Sequence, residues 1–558
     1  MEKMTILTFN RKELEKEIGK VTKEVEEQIT MFGTPVEDSN ANEISIEIFP
    51  NRPDLLSLQG FSRSFLQYLG KRGVSKFKVN KPEKDYVVKV DKIVKQVRPY
   101  TVCAIVKNIK FNDEKIKEII EVQEKLHLTI GRKRKKSAIG IYPLEKIKLP
   151  IKYTAMKPED IKFVPLESPG GKEMTGKQIL RQHPKGQEYA DLLKDESVYP
   201  VFLDSTNKVL SLPPIINSHE TGKIDEKTKD VFVECSGFNK YYLEKTLNII
   251  IATLADMGGK VYAMEIKDEK SFASPNLDFD KMEFKIEDIN KTLGLDLGEK
   301  EIKDYLEKMG IGFEKDKKHG KFFALVPAYR VDVLHWVDLS EDIAIAYGYD
   351  NFEPEIPKIA TMAKEDKADV LKRTIEEIFS GVGFSEVSSF HLAKKKDVKK
   401  AHYDFKKFIE VEDSKTEYDV LRIDLLSNLL KVFSENSDSA YPQKIFEVGK
   451  VFEKNEGSNE TGVDEKTNLA LAMIDEEITF TEMKQILDYL FIMLNVDYNV
   501  ENAENSNYIN GRVAKVIVND GGKDLDIGFI GEIAPRVLKN WKLKMPTVAL
   551  EINLDWLN

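Results

Sequence analysis

The chain has 558 residues, 41% of them hydrophobic and 32% charged, and 85 basic against 95 acidic side chains leave a net charge of −10. One hydrophobic core does not serve that length, so three or four domains are expected. No apolar run approaches the ~20 residues that span a bilayer, and mixed charge of this kind excludes a chain that draws in nucleic acid by its bulk field.

The opening stretch "MEKMTILTFNRKELEKEIGK" passes from a short strand into a charged helix with no apolar signal core, and Cys103 and Cys235 are too few for a disulfide framework. A cytoplasmic protein with no membrane partner is expected. Within residues 1–80, "EISIEIFP" alternates as a strand, and Pro50, Asn51 and Pro53 turn the chain. Leu58, Phe61, Phe65 and Leu69 then form a helical stripe that faces a core. "NRPD", residues 51–54, is turn chemistry with Arg52 within reach of a local carboxylate, and reads as architectural.

Residues 81–270 mix strands with one strong helix, "NDEKIKEIIEVQEKLHLTIG", capped by Asn112 or Asp113 and carrying Ile116, Ile119, Ile120 and Leu126 on one side. "GRKRKKS", residues 131–137, sets five cations in a row, which suits salt-sensitive phosphate contacts as well as it suits a solvated hairpin. Taken alone, Ser211 is a strand-end hydroxyl, Pro213 and Pro214 a rigid turn, and Cys235 a small buried filler. Residues 271–352 read as a compact helical module, in which "KIEDINKTLGL" and "GEKEIKDYLEKMGI" are helices stopped by glycine and "KFFALVPAY" is extended. Residues 353–558 begin with the helix of "KADVLKRTIEEIFSGVGF", where Leu371, Ile375, Ile378 and Phe379 share a face and Gly381 ends the run. The remainder alternates strands and helices as a mostly antiparallel α+β domain does.

The helical module closes on "PAYRVDVLHWVDLSEDIAIAYGYD", which gathers Asp332, Asp338, Glu341 and Asp342. In one reading Asp338 caps a helix and Glu341, three residues on, reaches back to its backbone. In the other the acids hold a hard cation, with Asp338 and Asp342 one turn apart and Asp332 approaching from the strand. Oxygen ligands without histidine or cysteine suit magnesium, which takes one or two carboxylates directly. The residues alone leave both readings open. His335 has no metal-ligand spacing and reads as structural.

"FPNRPDLLSLQGFSRSF", "LSLPPIINS", the acidic stretch above, "IFEVGKVF" and "GFIGEIAPRVLKNW", in that order, resemble the β subunit of phenylalanyl-tRNA synthetase in its archaeal and eukaryotic form, over nearly the full length. The resemblance implies a multidomain α+β fold: an N-terminal segment, a tRNA-editing domain at 81–270, a magnesium-binding module at 271–352, and a catalytically inert class II synthetase-like antiparallel sheet domain at 353–558. It further implies an (αβ)2 heterotetramer whose α subunit attaches phenylalanine to its tRNA with ATP, and magnesium held by Asp332, Asp338, Glu341 and Asp342 at the contact with α. Some relatives carry glutamate where Asp342 stands.

The last domain resembles class II catalytic domains without their chemistry. A working site needs arginines that pair bidentately with ATP phosphates, whereas "YPQKIFEVGKVF" offers Phe446 before Glu447, and Arg536 sits in a different context from the family's third motif. No adenylate formation by this chain is expected, and the helix from Leu371 to Phe379 is expected at the contact with α. The editing domain of the family hydrolyses tyrosine wrongly attached to the phenylalanine tRNA. Such editing is needed because an apolar pocket rejects an added hydroxyl poorly, while a second pocket that hydrogen-bonds the hydroxyl selects the error. The implied pocket residues are Ser211, Glu234 and Ser236, with Asn217 and Ser218 beside them; no nucleophile, base and orienter set is present to activate the water. The family pattern has aspartate and threonine where this chain has Glu234 and Ser236, which makes the pocket one methylene tighter and removes a methyl contact. Two further functions fit the same residues: a scaffold that docks tRNA without editing, and an editing hydrolase that works without α.

Overall fold

The computed structural model describes residues 6–168, 171–356, 362–401, 408–412, 414, 416–455, 457 and 461–557. Two compact units divide the chain, Met1–Glu355 and Ile356–Asn558. The first three expected segments all fall in the first unit.

That unit begins with an antiparallel three-stranded sheet in the order Ile6–Asn10, Glu43–Glu47, Val36–Ser39. Ser57 caps the helix Leu58–Tyr68 by accepting from Gly60 N at 2.8 Å, and the fully buried rings of Phe61 and Phe65 stack at 5.7 Å along its inner face. Arg52 donates twice to buried Asp54, at 2.9 Å each, so "NRPD" is an internally neutralised turn.

The middle of the unit is built on an eleven-stranded sheet. Its main path runs Ile216–Asn217, Val209–Leu212, Tyr199–Leu203, Ile151–Met156, Val87–Val90, Lys260–Lys267, Tyr100–Lys107, Val231–Gly237, Ser137–Pro143. Alternation along the strand Val231–Gly237 sorts its side chains to two cores. Val231, Val233 and Cys235 pack under the helix Lys240–Asp256 with Leu243, Leu247 and Leu254, while Phe232 joins Tyr142, Tyr153 and Phe202 on the opposite face. Glu234 and Ser236 share the Phe232 face, which places two polar groups against an apolar layer. Asn112 caps the helix Asp113–Leu128 through Lys115 N at 3.0 Å. Its buried stripe is Ile119, Val122 and Leu126; Ile120, expected in that stripe, is 56% exposed.

The 271–352 segment holds more sheet than its sequence suggested. The strands Asp280–Phe284, Lys321–Val326 and Gly312–Asp316 form an antiparallel sheet, accompanied by the helices Ile286–Leu293, Glu299–Lys308 and Trp336–Tyr347. The two strands missed, "DKMEF" and "GFEKD", are the sheet's edges. Charged edge strands carry little apolar periodicity to read. Gly294, at φ 69°, ends the helix Ile286–Leu293 in the left-handed conformation that glycine permits.

The second unit is a seven-stranded sheet in the order Ser385–Glu386, Gln443–Lys454, Val463–Ile474, Thr547–Asn553, Lys523–Ile533, Tyr508–Asp520, Tyr498–Asn502; only the first pair is parallel. Leu469, Leu471 and Met473 face the helices Lys367–Gly381 and Phe480–Leu494, and Ala470, Ala472 and Ile474 face Leu426–Glu435 and Pro535–Trp541. The stripe of Ile375, Ile378 and Phe379 is buried as expected; Gly381 is the last helical residue, and the left-handed turn comes at Gly383, φ 86°. Among the described residues no helix is long and apolar enough to cross a membrane.

Candidate functional site

The two ends of the long sheet path meet at Tyr142. Its hydroxyl lies 2.8 Å from Ser211 Oγ, 3.2 Å from Glu234 Oε1 and 3.3 Å from Asn217 Oδ1. Ser211, Asn217 and Glu234 line a cavity of about 670 Å³ with Ile119, Ile120, Gln123, Pro213 and Ile216. The outward Ile120 therefore furnishes this cavity's wall. Glu234 is 2% exposed, and its Oε2 has no hydrogen-bond partner. Burial drives its carboxyl up to about 8, against the opposing pull of the Tyr142 hydrogen bond and the Arg98 charge. Burial, reinforced by Glu234, likewise lifts the Tyr142 phenol well above its usual range, so Tyr142 stays a neutral donor.

Gly140 makes this arrangement possible. It stands directly across the ladder from Glu234 and two residues before Tyr142, and any Cβ there would collide with both Tyr142 Oη and Glu234 Oε1. Ser236, grouped with Glu234 on sequence grounds, is wholly buried and does not line the cavity. It accepts from Arg98 Nε at 3.1 Å, while Arg98 Nη2 donates to its carbonyl. Ser236 thus anchors the guanidinium that acts on Glu234 at a distance. The basic run 131–137 divides: Arg132, Lys133 and Lys135 are exposed, but buried Arg134 donates to the Pro214 and Ile215 carbonyls and to Glu124, bracing the cavity wall. Ser218 is buried and bonds through its backbone to Leu210 O.

The four acids of the helical module do not meet at one point. Arg330, 3% exposed, donates to Asp332 at 2.8 and 2.7 Å and to Asp342 at 2.8 Å. Burial would raise the Asp332 carboxyl, but Arg330 and then Arg52 hold it at about 2; Asp342, deeper, is pushed up by burial in spite of Arg330. Asp338 accepts from Leu334 N and His335 N at 2.7 Å each, completing a capping box in which His335, not Asp338, is the cap. The capping reading therefore holds one turn earlier than expected, and exposed Glu341 has no part in it. Asp332, Glu341 and Asp342 line a cavity of about 250 Å³ with Arg52. Among the described residues no three histidine, cysteine or acidic side chains are arranged to hold a metal ion. The carboxylates fit the guanidinium, and a cation at Asp332 and Asp342 would have to displace it.

Comparison with known proteins places these features. Residues 84–250 match the B3/4 domain, 282–349 the tRNA synthetase B5 domain, and 353–554 the phenylalanyl tRNA synthetase beta chain CLM domain. The chain is 40% identical over 508 residues to the phenylalanine–tRNA ligase beta subunit of Pyrococcus abyssi, covering 90% of this chain and 89% of that one. The beta subunit of Archaeoglobus fulgidus is 34% identical over 559 residues, covering 99% and 98%. The chain belongs to the phenylalanine–tRNA ligase β-subunit family. A crystal structure of an N-terminal fragment of the Pyrococcus horikoshii β subunit is similar at a TM-score of 0.58 and 36% identity, over 61% of this chain and 99% of the fragment.

In this β-subunit chain the C-terminal sheet carries a third cavity, of about 660 Å³, lined by Asp424, Glu453, Asp526, Glu551 and Asp555 with Lys466 as the lining cation. Burial and the neighbouring Asp424 raise Glu551 to about 7. Glu447 is buried against Arg422 at 2.6 Å and accepts from Ser389 Oγ at 2.7 Å, and Arg536 donates to Ser506 O at 2.6 Å. Glu447 thus ties its strand to the loop residues Arg422 and Ser389, and Arg536 ties the helix Pro535–Trp541 to the loop at Ser506. Tyr142, Gly140, Arg98 and Arg330 escaped the sequence reading. A glycine inside the apolar run "SAIGIYP" and an arginine two residues from Asp332 were the available signals.

Proposed function

We propose that this β subunit assembles with an α subunit as an (αβ)2 heterotetramer in the cytoplasm, and that it hydrolyses tyrosine from phenylalanine tRNA at the cavity built on Glu234. The observation that carries the editing reading is the unpartnered Oε2 of Glu234, a buried polar atom of a residue that lines the cavity among Ile119, Ile139, Ile141 and Pro213. A buried acceptor without a donor is unfavourable by about 1–3 kcal/mol. A ligand hydroxyl delivered to that oxygen relieves the deficit, and a phenylalanyl ring brings no such group. Selection of the error by its extra hydroxyl is the discrimination a hydrogen-bonding pocket performs best. Glu234 then serves recognition, while water adds to the ester carbonyl and the tRNA hydroxyl departs with a proton.

Charging with ATP is assigned to α, because the acidic cavity of the C-terminal unit repels a polyphosphate and lacks the arginines that would hold it. Magnesium is assigned no step. Of its expected ligands, Asp332 and Asp342 are available only in competition with Arg330, exposed Glu341 lines the same cavity, and Asp338 is committed to its helix. The test of editing is deacylation of tyrosyl- and phenylalanyl-charged phenylalanine tRNA by the αβ complex, wild type against Glu234→Ala, with assembly verified. Selective loss of tyrosyl hydrolysis supports the reading. A wild-type complex that charges phenylalanine yet never clears tyrosine favours the docking scaffold.

A further inference from the structure

Ser211, Asn217 and Glu234 come from three different strands, and all three aim at one internal hydroxyl, that of Tyr142. A phenol has one proton to give and lone pairs to receive with, so it cannot donate to three oxygens at once. It can, however, fix the plane of a carboxylate by holding one of its two oxygens. Among the described residues the Tyr142 hydroxyl is the only hydrogen-bond partner of the Glu234 carboxylate. The other oxygen is left bare.

We propose that Tyr142 is the positioning residue of this pocket: by holding Glu234 through Oε1 it leaves Oε2 as the oxygen that meets the hydroxyl of a tyrosyl ligand. This rests on the editing reading above. Three features of the fold support it. Tyr142 is fully buried and stacks on Phe232 at 5.7 Å, so its hydroxyl is held by packing. Gly140, across the ladder from Glu234, leaves room for the contact where any side chain would break it. Arg98, the nearby cation, is occupied by Ser236 and the Arg134 carbonyl and gives Glu234 no hydrogen bond that could replace Tyr142. The titratable groups nearest Glu234 are Cys103 on the adjoining strand, its neighbour Cys235, and Tyr153, whose hydroxyl donates to Arg98 O at 2.8 Å; Glu124, His127, Arg134, Glu167, Lys185, His219 and Lys223 line the same cavity.

The test is Tyr142→Phe in the complex with α, which removes one oxygen and keeps the ring. Tyrosyl-tRNA hydrolysis is expected to fall roughly 2- to 10-fold, the worth of a hydrogen bond between neutral groups, while phenylalanine charging by α is unchanged. The Tyr142 hydrogen bond favours the ionised carboxylate, so its loss moves the pH midpoint of hydrolysis upward. A simple filler would not move that midpoint. An unchanged rate, or a lower rate with an unmoved midpoint, overturns the proposal. If the wild-type complex clears no tyrosine, the editing reading fails by itself, and Tyr142 is judged separately. The infrared carboxyl band that disappears in Glu234→Gln is then titrated in wild type and Tyr142→Phe. An upward shift sustains the positioning contact, and an identical midpoint refutes it.

Discussion

Replacing Glu234 by glutamine should favour the variant over the wild type increasingly as pH rises. The folded carboxyl titrates at about 8 against an ordinary value of 4.5. A group raised in the folded state contributes nothing unfavourable below its unfolded value, and stability is then lost as pH climbs toward the folded value. At 1.36 kcal/mol per unit, the wild type loses about 2.5 kcal/mol relative to the variant between pH 5 and pH 7, and about 1 more by pH 9. Glutamine keeps the shape and cannot ionise. The unpartnered oxygen becomes an amide with its own unmet bonds, which offsets the gain by about 1–3 kcal/mol at every pH. The diagnostic quantity is therefore the slope. Urea unfolding of the full chain followed by circular dichroism at pH 5, 6, 7, 8 and 9 measures it. Wild type and variant that run parallel across this range would refute the claim that Glu234 is buried with its proton.

Elsewhere the predictions concern packing and charge. Arg330→Met leaves Asp332 and Asp342 buried without their cation and should destabilise by about 3–5 kcal/mol in thermal or urea unfolding, with Asp342→Asn restoring part of the loss. Gly140→Ala forces Tyr142 and Glu234 apart, costing roughly 1–3 kcal/mol and abolishing tyrosyl-tRNA hydrolysis while phenylalanine charging persists; an unimpaired variant would contradict the tight contact at Gly140. Because Arg330 already supplies the positive charge, chelation with EDTA should leave the unfolding midpoint of this chain unchanged, and a fall of several degrees would show that a cation takes the guanidinium's place.

Long, strongly patterned elements were legible in the sequence, and short charged ones were not. The helices with Phe61 and Phe65, with Ile119 and Leu126, and with Ile375 and Phe379 fold where their apolar stripes place them, because burial of those stripes dominates local preference. The edge strands Asp280–Phe284 and Gly312–Asp316 were invisible because three of the five residues in each are charged and their pairing is supplied by the central strand. Ser211 and Glu234 were found through family likeness, and no local pattern foretold that they meet. Their contact depends on the two ends of a long sheet path closing on Tyr142, which only tertiary structure records. The four acids at 332–342 stand out in the sequence but their charge balance does not, since a lone arginine two residues before Asp332 carries no sign that it also reaches Asp342.

The most direct measurement is the ratio of tyrosyl to phenylalanyl deacylation rates for phenylalanine tRNA, taken on the wild-type αβ complex under single-turnover conditions. A site that satisfies Glu234 Oε2 with the substrate hydroxyl predicts a ratio of about 100 or more in favour of tyrosine. Equal rates, or no deacylation of either, would contradict it.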